Sequence, residues 1–196
     1  MSSETKKGKI EGAPVTGADI DPAFLAEILD LPDGRLITKC MQCGTCTGVC
    51  EVQDLNPDYN IRRTLTKAAL GLGKEVLPSN DIWLCVHCYS CVERCPRGVR
   101  PGERMAQLQG LALRKKVVNR GARHARSYVE SILKNGKINE FKVTKDSLGI
   151  MGLIGQGPMF MLKLVLKGKN PKIMKGPMRG MDELRPIIRK IMEGKA

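Results

Sequence analysis

The cysteines of this 196-residue chain form two copies of the spacing C-x-x-C-x-x-C-x-x-x-C. The first copy contains Cys40, Cys43, Cys46 and Cys50, and the second contains Cys85, Cys88, Cys91 and Cys95, which Pro96 follows. Three thiolates at this spacing can bind three irons of one cubane cluster from a single loop. In proteins with two such clusters, the fourth cysteine of each run binds the other cluster.

The spacing therefore predicts two [4Fe–4S] clusters whose ligand sets cross between the loops. Cluster 1 takes Cys40, Cys43, Cys46 and Cys95. Cluster 2 takes Cys85, Cys88, Cys91 and Cys50. All 8 cysteines are used, and none is left over.

Zinc and disulfides are the competing interpretations of the cysteines. Structural zinc usually takes its four ligands as two separated pairs, so the third closely spaced cysteine would have no role. Disulfides suit small secreted domains, but the chain starts with the polar run MSSETKKGKIEG, which lacks the apolar segment of a signal peptide. The sequence favours iron–sulfur over both.

Residues for other chemistry are few. His87 lies between two cysteines and is expected near a cluster or at the surface, and His124 is expected on a solvated face of a basic helix. No nucleophile–base pair and no glycine-rich nucleotide motif is present. Gly44 and Gly48 would let backbone amides approach the first cluster. We expect no catalytic residue in this chain and a role in carrying electrons.

The elements that position the cysteines are predicted to be helical. One helix is capped by Asp21 with Pro22 at its first position, a second opens at Asn60 or Asp58 and closes at Gly71 or Gly73, and a short one begins near Ser79. Helical patterns follow over 101–118 and over 122–135, where Ala125, Tyr128, Val129, Ile132 and Leu133 form the expected apolar stripe before Gly136. Asp182 is expected to cap a last helix. No alternating strand pattern is present, so the fold class is all-α.

Three regions are predicted. They are a disordered tail over 1–18, a two-cluster helical domain over 19–135, and a basic, Met-rich extension over 136–196 for partner docking. The net charge of +13 is concentrated after residue 96, where 23 Lys and Arg face 7 Asp and Glu. An acidic protein partner is favoured over nucleic acid, because no stacking aromatics accompany the charges. The apolar stretch over 148–162 is too short and interrupted to span a membrane.

The two cysteine runs and their flanking residues resemble the α-helical ferredoxin domain. Within it, CGTCTG at 43–48 and WLCVHCYSC at 83–91 are similar to the C subunits of the soluble heterodisulfide reductases of methanogenic archaea. The likeness covers roughly residues 20–135. Glu51 follows Cys50 where the second run has a proline, which departs mildly from the pattern.

This resemblance implies a cytoplasmic electron relay. Electrons would enter from a flavin-containing A subunit, which a hydrogenase or formate dehydrogenase could supply, and leave to a catalytic B subunit that reduces the disulfide of coenzyme M and coenzyme B in methanogenesis. The alternative is a relay subunit of a glycerol-3-phosphate, lactate or succinate-type dehydrogenase. A free ferredoxin and a nucleic-acid-binding iron–sulfur protein stay open as weaker alternatives.

Overall fold

The computed structural model describes residues 15–139, 142–147, 149, 166–167 and 178–192, with side chains as far as residue 189. No strand occurs in these residues, so the predicted all-α class is confirmed. The chain divides into two compact units, one ending at Val117 and one beginning at Val118. Residues 1–14, most of the predicted tail, and nearly all of the Met-rich stretch at 148–162 lie outside the described residues.

The helices of the first unit are mostly short. They are α1 (Pro22–Leu29), α2 (Thr45–Gly48), α3 (Glu51–Leu55), α4 (Ile61–Ala69), α5 (Gly73–Val76), α6 (Asp81–Leu84), α7 (Ser90–Glu93) and α8 (Pro101–Arg114), with 3₁₀ turns at Gly17–Asp19 and Gly34–Lys39. Two predicted caps are confirmed. The Asp21 carboxylate accepts from the amides of Ala23 and Phe24, and the Asn60 side chain accepts from the amide of Arg63.

The core of the first unit lies between α1, α4, α6 and α8. Its fully buried side chains include Phe24, Ile28, Ile37, Tyr59, Ile61, Ile82, Met105 and Leu108. Several cysteines and the half-buried Trp83 pack against this cluster. The α4 and α8 helices therefore form the rigid part against which the two cysteine loops are placed.

The second unit contains α9 (Arg120–Asn135), a helical segment over 142–147 and α10 (Met181–Met192). Gly136 ends α9 in the left-handed conformation at φ 68°, as predicted. The predicted apolar stripe of α9 is wrong, because Tyr128, Val129 and Ile132 are exposed while Ser127 and Ser131 are buried. Hydrogen bonds of these two serines explain why this face of α9 is the buried one. Ser127 donates to Asp146, and Ser131 accepts from the amide of Asn139.

Two further predictions need correction. The last helix begins at Met181, so Asp182 lies in its first turn, where it pairs with Arg185, and is not the cap. The α8 helix ends at Arg114, four residues before the predicted end of that pattern. The division after Val117 falls inside the domain predicted over 19–135, and that domain boundary stays a prediction.

Candidate metal centres

The two cysteine loops share one backbone course. Gln42 and Gly44 in the first loop adopt left-handed conformations, at φ 60° and 83°, and so do His87 and Tyr89 at the matching places of the second, at φ 53° and 62°. Each loop then enters a one-turn helix, α2 or α7, which carries its third cysteine. Left-handed residues reverse the chain sharply. The loop wraps tightly for this reason, and its three cysteines turn to one side.

One cavity gathers cysteines from both loops. The cysteines that line it are Cys40, Cys43, Cys46 and Cys95. Arg62 and Leu65 of α4, together with Arg97 and Val99, are also part of its wall. We call this space site 1.

A second cavity gathers the other cysteines. Its sulfur-bearing lining is Cys50, Cys85, Cys88 and Cys91. Tyr59, Ile61 and Gly102 line the same space, as do Val86 and Tyr89 of the second loop. We call this space site 2.

The start of α4 borders both sites. Arg62 and Leu65 line site 1, and Tyr59 and Ile61 line site 2. Asn60 between them accepts from Thr47 Oγ1 of the first loop at 3.2 Å, which ties α4 to α2. The third cysteines, Cys46 and Cys91, lie on α2 and α7, which pack against each other. The two sites therefore adjoin along this helix pair.

Hydrogen-bond donors surround the sulfur atoms. The Val99 amide donates to Cys95 Sγ at 3.3 Å, Thr45 Oγ1 lies 3.3 Å from Cys43 Sγ, and Gln42 Nε2 donates to Cys40 Sγ at 3.3 Å. In site 2 the amides of His87 and Gly102 bond the thiols of Cys85 and Cys91. Donors aimed at sulfur stabilise the reduced, more negative state of a cluster.

Three of the thiols are costly to ionise in the absence of a cation. Burial, and then neighbouring thiolates, raise the pKa of Cys91 to about 11 and the pKa of Cys46 above its ordinary value. Burial also raises the pKa of Cys85, whereas hydrogen bonds from Thr45 lower the pKa of the exposed Cys43. Four thiolates gathered around one cavity repel one another unless a positively charged core lies between them. This donor set fits an iron–sulfur core.

The arrangement does not suit a single ion. Thiolates around one tetrahedral zinc lie about 3.8 Å apart, since each Zn–S bond is about 2.3 Å. Among the described residues, no group of three or more His, Cys, Asp or Glu side chains is placed to hold one metal ion. No disulfide joins the eight cysteines, which are all free. Four cysteines line each of two spaces, which is the number of ligands that a cubane cluster takes.

The two histidines have different surroundings. His87 is half-buried, lines site 2, and its buried Nε2 has no hydrogen-bond partner. His124 is exposed, and its Nδ1 lies 2.8 Å from Ser147 Oγ. The sequence analysis missed Tyr59 and Arg62 as site residues. The available signal was their position beside Asn60, at the opening of the helix between the two cysteine runs.

A family model matches the part of the chain that contains the cysteines. Residues 36–99 match the family described as 4Fe-4S dicluster domain. This range contains both loops, α4 and all eight cysteines. This helical part of the chain is therefore similar to a 4Fe-4S dicluster domain.

Relatives of the chain belong to one kind of enzyme complex. The chain is 38% identical over 104 residues to the iron-sulfur C subunit of the CoB–CoM heterodisulfide reductase of Methanopyrus kandleri, covering 50% of this chain and 54% of the relative. It is 38% identical over 128 residues to the C 2 iron-sulfur subunit of the same reductase from Methanocaldococcus jannaschii, covering 63% and 64%. The C subunit of the H(2):CoB-CoM heterodisulfide,ferredoxin reductase of Methanothermobacter marburgensis is 42% identical over 82 residues, covering 42% and 43%.

The chain is thus similar, over 82 to 128 residues, to the C subunits of these heterodisulfide reductases. It spans about half to two thirds of the length of the first two of these relatives. No helix in the described part of the chain is long and apolar enough to cross a membrane.

Proposed function

We propose that this chain is the electron-transfer subunit of a cytoplasmic heterodisulfide reductase. It would pass electrons from a flavin-containing A subunit to a catalytic B subunit that reduces the disulfide of coenzyme M and coenzyme B. The observation that carries this proposal is the pair of adjoining four-cysteine cavities, in a dicluster domain similar to the C subunits of such reductases.

The ligand assignment is part of the proposal. Cys40, Cys43, Cys46 and Cys95 would hold one [4Fe–4S] cluster in site 1, and Cys50, Cys85, Cys88 and Cys91 would hold the other in site 2. When bound, each cluster supplies a one-electron redox centre with no iron open to substrate. The protein binds and orients the clusters, and the amide and hydroxyl donors on the sulfur atoms set their potentials.

The exposure of the cysteines supports a relay. Cys43 and Cys88, the second cysteine of each loop, are exposed at the surface. Cys46 and the buried Cys91 lie inward on the packed helices α2 and α7. Each site thus has one edge near solvent and one edge toward the other site, which suits entry of an electron at one site and departure from the other.

Exposed apolar side chains lie next to both solvent edges. Met41 is 57% exposed beside Cys40, and Val86 is 65% exposed beside Cys85. Side chains of this kind next to a redox centre suit docking of a partner, because binding removes them from water and shortens the transfer distance. The excess of basic residues after residue 96 suits an acidic partner surface.

Co-purification tests the proposal directly. A tagged copy of the chain is expressed in its native host, the complex is isolated without oxygen, and the bound polypeptides are identified by mass spectrometry. The proposal expects a flavin-containing subunit and a cysteine-rich catalytic subunit, together with reduction of the coenzyme M–coenzyme B disulfide. Recovery with a glycerol-3-phosphate, lactate or succinate dehydrogenase instead would assign the chain to the alternative complex.

Two matched variants test whether the proposed ligand set of site 1 is needed for turnover by the isolated complex. Cys43→Ser removes a proposed ligand at the exposed edge of site 1, whereas Thr38→Ala alters an exposed side chain outside both cavities. We expect the first variant to abolish disulfide reduction by the isolated complex and the second to retain it. Full activity of a Cys43→Ser complex would contradict the relay.

A further inference from the structure

Among the described residues of the first unit, Tyr59 is the largest fully buried side chain. The side chain is 1% exposed, and its Oη makes no hydrogen bond of normal geometry with the part of the chain that the structure describes. A buried hydroxyl left without a hydrogen-bond partner destabilises the fold, because it has lost its bonds to water. We therefore expect a hydrogen-bond acceptor in the space that the hydroxyl faces.

The space that Tyr59 faces is site 2. The residue lines that cavity together with the four cysteines, and its hydroxyl lies beside the Cys85 thiol. An ordinary tyrosine hydroxyl keeps its proton at neutral pH. A phenol that keeps its proton beside a thiolate can only donate to it.

The fold fixes the ring in this orientation. Tyr59 is part of the apolar core cluster of the first unit. Its amide donates to the carbonyl oxygen of Asn56 at 3.0 Å, and the next residue, Asn60, caps α4. Both the ring and the backbone are therefore held, and the hydroxyl cannot turn to water without disrupting the core.

We propose that Tyr59 is a potential-setting residue for the cluster of site 2, donating its O–H hydrogen bond to the Cys85 sulfur. This inference rests on the proposed cluster ligation and adds a residue outside the cysteine motif. The sulfur ligands become more negative when the cluster gains an electron, so the hydrogen bond strengthens on reduction. Tyr59 therefore raises the reduction potential of that cluster.

No tyrosine lines site 1. The hydroxyls at its sulfur atoms belong to Thr45 beside Cys43 and to Thr47 beside Cys46. Removing the Tyr59 hydroxyl should for this reason change one cluster and leave the other unchanged. A change at one cluster alone indicates that a direct hydrogen bond was lost, whereas a general loosening of the domain would change both clusters.

The test is a potentiometric titration of the holoprotein, monitored by electron paramagnetic resonance. Tyr59→Phe should make reduction of one cluster about tenfold less favourable, a negative shift of about 59 mV for one electron, with iron content unchanged. Tyr128→Phe removes a partly exposed hydroxyl in the second unit and should shift neither cluster. Two unshifted potentials in a Tyr59→Phe protein that keeps its iron would overturn the proposal.

A second measurement applies if Tyr59→Phe fails to assemble. The chain has 3 tyrosines, so a protein carrying Tyr89→Phe and Tyr128→Phe takes up 3-fluorotyrosine at Tyr59 alone. The fluorinated phenol is the stronger donor and should move one cluster to a more positive potential than its unlabelled control. An identical titration would overturn the inference, whereas failure of the proposed ligation appears separately as absent iron.

Discussion

The buried guanidinium of Arg104 donates a hydrogen bond to the backbone carbonyl oxygen of Asp33. The two residues are 71 positions apart, and Asp33 adopts a left-handed conformation at φ 57°. Arg104 Nη1 also lies 3.4 Å from the carbonyl oxygen of Pro32. This contact joins α8 to the turn that precedes the first cysteine loop, so it fixes where that loop begins.

Arg104→Met should destabilise the holoprotein. The side chain is 2% exposed, and its loss removes the hydrogen bonds that the charged guanidinium donates to the carbonyl oxygens of Asp33 and Pro32, at a cost of about 1.5–3 kcal/mol in the free energy of unfolding. Arg114→Met, at the exposed end of the same helix, is the matched control and should change that free energy by less than about 0.5 kcal/mol. Anaerobic denaturant titrations measure both, and equal midpoints for the two variants would contradict the assigned role.

The glycines of the first loop should respond differently to alanine. Gly44 lies at φ 83°, so Gly44→Ala should lower the free energy of unfolding by about 1–2 kcal/mol. Gly48 is exposed and helical with open space around it, so Gly48→Ala should stay within about 0.5 kcal/mol of the parent. Thermal unfolding under argon compares them. A larger loss for Gly48→Ala would show that the loop course is wrong.

The sequence predicted the helical class, the caps at Asp21 and Asn60, and the left-handed Gly136. These features depend on local side chain–backbone chemistry, which spacing and residue type reveal. The buried face of α9 could not be predicted, because Ser127 and Ser131 are satisfied by groups at Asp146 and Asn139 that only the folded chain brings near. The role of Tyr59 as a site residue could not be predicted either, since a single tyrosine between two helices carries no periodic signal.

The same limit applies to the candidate sites. The cysteine spacing predicted which cysteines line the two sites. It did not predict that His87 and Tyr89 adopt the left-handed conformation that Gln42 and Gly44 adopt at the matching positions of the first loop. A tyrosine is an unfavourable choice at positive φ. The second loop therefore adopts the course through its tertiary contacts and not through residue preference, which a sequence pattern does not record.

Removing the clusters should unfold the first unit. Without them, the first unit keeps only a core built from short helices beside two cysteine-lined sites, too little buried surface to offset chain entropy. Trp83 is the single tryptophan and packs against that core. Its emission should shift to longer wavelength when a chelator and oxidant strip the iron, with loss of helical circular dichroism. Retained helicity and unshifted emission after complete iron loss would contradict this dependence.

The crossed ligand sets predict how single variants group. Cys95→Ser lies in the second loop but should alter the same paramagnetic signal as Cys43→Ser of the first, because both residues line site 1. Cys50→Ser should alter the same signal as Cys88→Ser, because both line site 2. Low-temperature spectra of the reduced proteins decide the grouping. Signals that pair Cys95 with Cys88 would show that each loop binds its own cluster.

Metal and sulfide analysis of the anaerobically purified chain tests the central claim most directly. Two cubane clusters require about eight iron atoms and about eight inorganic sulfides per polypeptide, with the spectra of [4Fe–4S] centres and no zinc. One or two zinc ions without sulfide would contradict the account, because the chain would then have no redox centre to carry an electron.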